Sequence, residues 1–84
     1  MIAHQLKVWG GYFPFLLAGT KTFEIRKDDR GFQVGDALIL REFNPNVGAG
    51  EYTGRSVQRR ISYILNDFPE GLKPGYVVLG LQPE

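Results

Sequence analysis

The sequence has no cysteine, a single histidine and no long apolar run. Each shortage closes off a class of protein. Without cysteine there is neither a disulfide framework nor a thiolate metal site. His4 alone cannot build a histidine metal cluster, so neither a metal nor another cofactor is expected. No stretch approaches the roughly 18–20 apolar residues that span a bilayer, and no membrane partner is expected. The opening Met1-Ile2-Ala3-His4-Gln5 lacks the basic region and apolar stretch of a signal peptide, which leaves a cytoplasmic protein as the expectation. Charge of one sign is also lacking. The net charge is +1, which by itself implies no nucleic-acid partner.

What is present fits one folded domain. The chain has 84 residues, 43% of them hydrophobic and 23% charged. A chain of this size buries roughly 60–65% of its unfolded surface, enough for one modest core. His4-Gln5-Leu6-Lys7-Val8-Trp9 alternates as a strand does, with His4, Leu6 and Val8 on one face and Gln5, Lys7 and Trp9 on the other. Gly10-Gly11 ends it. Tyr12 to Ala18 is apolar at helical spacing, with Pro14 suited to a first turn and Gly19 to the position past the helix end. A helix of two to three turns, mostly buried, is predicted. Strands follow at Thr22 to Lys27, Ala37 to Phe43, Arg55 to Leu65 and Tyr76 to Leu81, the last a nearly continuous apolar run. Turn-rich Asn44 to Gly50 joins two extended segments as a long hairpin.

The expected fold class is α+β: about five strands with one short helix between strands 1 and 2. Closing so small a sheet into a β-barrel removes exposed edges, and the helix would plug one end. Parity and spacing nominate Leu6, Val8, Phe15, Leu16, Phe23, Ile25, Leu38, Leu40, Ile61, Val78 and Leu79 for the core. Val57, Ile61 and Leu65 line one side of the long strand together with Tyr63.

Chemistry concentrates in Gly19-Thr20-Lys21-Thr22-Phe23-Glu24-Ile25-Arg26. On a strand, Glu24 and Arg26 share a face beside Lys21, and Phe23 and Ile25 face the other way, toward the core. Fixed charges at the end of a rigid element suit a polar, anionic ligand. Lys7 and Trp9 share a face of the first strand, where Trp9 serves either as a stacking platform or as a cover over the helix. Arg55, Arg59 and Arg60 form a local basic strip with no acid between Glu51 and Asp67. Arg55 and Arg59 either extend a phosphate track or solvate a strand face. Val57 and Ile61 share their parity, and a bulge would reconcile the two.

Gly19-x-Lys21-x-x-Glu24-x-Arg26 between a short helix and a strand resembles the signature of the ASCH domains of the PUA-like superfamily. The resemblance extends over nearly the whole chain. It takes in His4-x-Leu6-Lys7-x-Trp9, Lys27-Asp28-Asp29-Arg30-x-Phe32-x-Val34-Gly35-Asp36, Glu51-Tyr52-Thr53-Gly54-Arg55 and Phe68-Pro69-Glu70-Gly71-Leu72, and points to a compact bacterial and phage branch. It implies a PUA-like β-barrel and a module that binds RNA or a nucleotide in a cleft beside the helix. Lys7, Trp9, Lys21, Glu24, Arg26 and Arg55 would line that cleft. It also implies an alternative, a small hydrolase of acetylcytidine-like nucleosides or RNA with Lys21 central and Glu24 beside it. The acetylcytidine-hydrolysing branch has a threonine where this chain has Glu24, which favours binding over turnover. A third reading is an accessory protein whose cleft takes a protein or nucleotide.

Overall fold

Alternation in the first strand sets the architecture. His4, Leu6 and Val8 are buried, while Gln5, Lys7 and Trp9 face out. In the computed structural model, which describes residues 2–84, six elements follow one another. They are β1 (Ala3–Trp9), α1 (Phe13–Leu17), β2 (Phe23–Lys27), β3 (Ala37–Asn44), β4 (Glu51–Leu65) and β5 (Tyr76–Pro83). The strands form one sheet in the order β1-β3-β4-β5-β2. β1 runs parallel to β3, and the other pairs are antiparallel. The sheet curls into a half-barrel around Leu6, Val8, Leu38, Leu40, Ile61, Val77, Leu79 and Leu81. Phe13 and Leu16 of α1, with Phe32 from the β2–β3 loop, complete this core.

The expected strands and their order around one helix are found, but closure is not. β1 and β2 are the two edges of the sheet, and no ladder joins them. Side chains bridge the seam instead. Arg26 Nη2 donates to the Lys7 carbonyl at 2.7 Å, and Arg30 Nη1 to the Gln5 carbonyl at 3.2 Å. β1 contributes Gln5 and Lys7, two residues apart, as strand periodicity demands of carbonyls aimed at one edge.

Several core assignments change. Phe15, Phe23 and Ile25 are exposed, and Val78 is only half-buried. The helix is shorter than expected, and its one turn and a half turns Phe13 and Leu16 inward while Tyr12, Phe15 and Leu17 face out. In β2 the parity is inverted: Glu24 is inside and its apolar neighbours are outside. In β5 the apolar run is not buried on both faces, because Val77, Leu79 and Leu81 alternate with half-buried residues.

β4 begins at Glu51, four residues before its expected start, and carries two bulges. Its pairing with β3 jumps from Arg41↔Ser56 to Phe43↔Tyr52, so that Thr53, Gly54 and Arg55 oppose Glu42 alone. Its pairing with β5 slips at Ser62, between Ile61↔Leu81 and Tyr63↔Gly80. One extra residue flips the parity beyond it. Ile64 therefore joins Ile61 against the core, and Tyr63 and Leu65 turn outward.

The buried His4 and Asp36 tie the base of the sheet together. His4 Nε2 lies 2.8 Å from Asp36 Oδ2, and the backbone amides of Ile2 and Gln33 donate to the same carboxylate. His4 meets the Phe32 ring edge-on, which makes it a structural residue.

Candidate functional site

The site begins where α1 stops. Gly19 follows the helix at φ 80°, a conformation costly for residues with a Cβ. The turn lets the Lys21 amide donate back to the Phe15 carbonyl at 3.0 Å and aims the lysine side chain at β2. Lys21 Nζ donates to Glu24 Oε1 at 2.5 Å and to the Phe23 carbonyl at 3.0 Å. The same ammonium stands 5.5 Å from the centre of the Tyr12 ring and 5.0 Å from that of Phe23.

Arg26 approaches Glu24 from the other side, with Nε donating to Oε2 at 3.0 Å. A carboxylate that is only 5% exposed is thereby paired through both oxygens. This pairing explains the inverted parity of β2. A buried acid costs several kcal/mol unless paired, and here both partners arrive from within five residues of chain. Phe23 and Ile25 are then left to build the wall of a surface cleft.

That cleft, about 500 Å³ in volume, lies at the β1–β2 seam. Lys7, Trp9, Lys21, Glu24 and Arg26 line it together with Tyr12, Phe23 and Ile25. Five of the six residues singled out in the sequence therefore converge, although β1 and β2 are not ladder neighbours. Trp9 is 56% exposed and Tyr12 60% exposed, so neither ring is committed to the core. Lys7 Nζ stands 4.1 Å over the Phe43 ring.

Arg55 is the exception. It does not line this cleft but forks onto Glu42, Nε to Oε1 at 2.9 Å and Nη2 to Oε2 at 3.0 Å. Thr53 Oγ1 donates to Glu42 Oε1 at 2.8 Å. The first bulge of β4 is what brings both side chains to one carboxylate. Hydrogen bonds from Arg55 first, then Thr53, hold the Glu42 carboxyl below the usual carboxylate range, and Glu42 in turn raises Arg55. Arg59 does not join a phosphate track with them, since its Nη2 donates to the Leu16 carbonyl at 2.9 Å and pins α1 to the sheet.

Tyr12, Glu42 and Thr53 were not apparent from the sequence as site residues. Glu42 carried a usable signal, because it shares parity with the inward-facing Leu38 and Leu40, and an acid there needs a partner. Tyr12 stood next to the helix start, where an exposed ring is not distinguishable from a core ring by spacing.

Residues 3–81 match the family described as a domain of unknown function, DUF3850, and the chain belongs to that family. It is also similar to the uncharacterized 12.9 kDa protein in the GpA 3′ region of Escherichia phage P2. The two are 38% identical over 79 residues, which cover 92% of this chain and 69% of the phage protein.

Proposed function

We propose that this member of the DUF3850 family is a nucleic-acid-binding module, RNA preferred, of the ASCH type within the PUA-like superfamily, and that one nucleotide of a single strand enters the cleft between β1 and β2. One observation carries the reading. Three exposed rings, Trp9, Tyr12 and Phe23, surround cations fixed on a buried carboxylate. Aromatic faces stack any base, and fixed ammonium and guanidinium groups take phosphate. Three cations, Lys7, Lys21 and Arg26, stand against the single carboxylate of Glu24 in the lining, so the cleft is basic although the chain is nearly neutral. Its volume falls within the range of small-ligand sites. The ASCH reading is supported by the convergence of the motif's lysine, glutamate and arginine beside the helix. The preference for RNA rests on that resemblance.

Trp9 is the single tryptophan, so its fluorescence reports on the cleft directly. Titration with single-stranded RNA should quench it, with an affinity that falls as salt rises. Lys7→Gln removes a cation of the cleft, together with its contact over the Phe43 ring, and should flatten the salt slope by about 0.7, the loss of one phosphate contact on a single strand. Arg26→Ala should weaken binding and flatten the slope similarly, by about one unit at most. Unquenched fluorescence, or slopes unchanged in both variants, would remove the cleft from consideration. The same protein incubated with N4-acetylcytidine and with RNA should leave both intact. Turnover abolished by Lys21→Ala, with the fold kept, would replace the binder by a hydrolase.

A further inference from the structure

We propose that the bound strand continues past Trp9 into a second cleft, so that the unit recognised is two consecutive nucleotides. This rests on the reading of the first cleft given above. The second cleft is about 320 Å³ and is lined by Trp9, Gly10, Glu42, Asn44, Asn46 and Thr53, among others. Trp9 is the wall that the two clefts share. An indole ring has two stacking faces, and an exposed one between adjoining clefts suits successive bases of one strand.

The two clefts differ in chemistry. The first is cationic. The second presents the side-chain amide of Asn46 and the side-chain amide nitrogen of Asn44, groups that pair with base edges. Asn44 Oδ1 already accepts from the Asn46 backbone amide, and the Thr53 hydroxyl is held between Glu42 and the Arg55 backbone amide. Glu42 does not make it an acidic site, because both carboxylate oxygens already accept from Arg55 or Thr53. Arg55 neutralises that carboxylate from outside the lining of the cleft. Gly10 and Gly11 form part of the lining, and a Cβ built at Gly11 meets no atom within 4 Å, so this part of the cleft is open.

The test compares the four ribonucleoside 5′-monophosphates with ApA, CpC, GpG and UpU by Trp9 fluorescence and calorimetry. Each dinucleotide carries one phosphate, so any gain comes from the second nucleoside and not from added charge. The best dinucleotide should bind about tenfold or more tighter than its mononucleotide, the gain expected of one further stacked base. Asn46→Ala and Gly11→Asp change the second cleft alone and should each abolish the gain while leaving mononucleotide affinity unchanged. Equal affinities for mononucleotide and dinucleotide, or a gain that survives both variants, would overturn the second site and leave the first standing. Failure of every mononucleotide, dinucleotide and longer RNA to bind would overturn both.

Discussion

Glu24 holds a negative charge where almost no water reaches it, and it can do so because Lys21 and Arg26 are both in place. Glu24→Gln would leave two cations facing a neutral amide. Their side chains keep 20% and 24% exposure, so solvent moderates the loss. A cost of about 1–2 kcal/mol is expected, less than for a fully buried pair, and urea denaturation would measure it. Asp36 makes a prediction about pH. Its hydrogen bond with His4, followed by those from the Gln33 and Ile2 amides, holds its carboxyl below the usual range. The unfolded chain therefore takes up this proton first as pH falls. The contribution is complete at neutral pH and is lost as pH drops below about 4 toward the folded value. Glu42 adds a dependence of the same sign. Urea midpoints recorded from neutral to acid pH should fall in that window, and Asp36→Asn should lower stability at neutral pH while making the acid limb shallower.

The elements show where sequence patterns suffice and where they do not. α1 offers a direct comparison. Phe13→Ala, from a fully buried ring, should cost about 3–5 kcal/mol, whereas Phe15→Ala, on the exposed face of the same turn, should cost about 1 kcal/mol or less. Phe23→Ala belongs with the second kind, at about 1–2 kcal/mol, because nearly half of that residue meets solvent. Thermal unfolding of the three variants would rank them. The order of the elements along the chain, the helix end at Gly19 and the inward faces of β1 and β3 were legible because alternation and turn chemistry are local, whereas the order of the strands within the sheet was not. The inversion of β2 was not. Two large apolar residues outweigh one acid in any pattern, and only the convergence of Lys21 and Arg26 makes the opposite facing affordable. The bulges of β4 were legible as a need but not as places, since register depends on the partner strand. Their positions decide that Ile64 is inside and Leu65 outside, and that Arg55 meets Glu42 rather than the first cleft.

At the scale of the whole molecule, the half-barrel closes through arginines where a ladder would be expected. Arg26 therefore serves twice, as a wall of the cleft and as a clasp between edge strands. In Arg26→Ala the amides of β1 should exchange with solvent faster than those of β4 and β5, and hydrogen-exchange mass spectrometry would read the difference. Equal rates across the sheet would mean that the clasp carries no weight. The seam has another consequence, for how the protein behaves in company. An open sheet edge is a template on which a second chain can add its own strand, and small β proteins must defend against it. Here the outward carbonyls of Gln5 and Lys7 are already occupied by guanidinium groups, which also bring positive charge to the edge. The double variant Arg26→Gln, Arg30→Gln should retain its fold yet associate with rising concentration, as light scattering would detect. The clasp that shapes the cleft would then also be what keeps one copy of the chain from zipping onto the next.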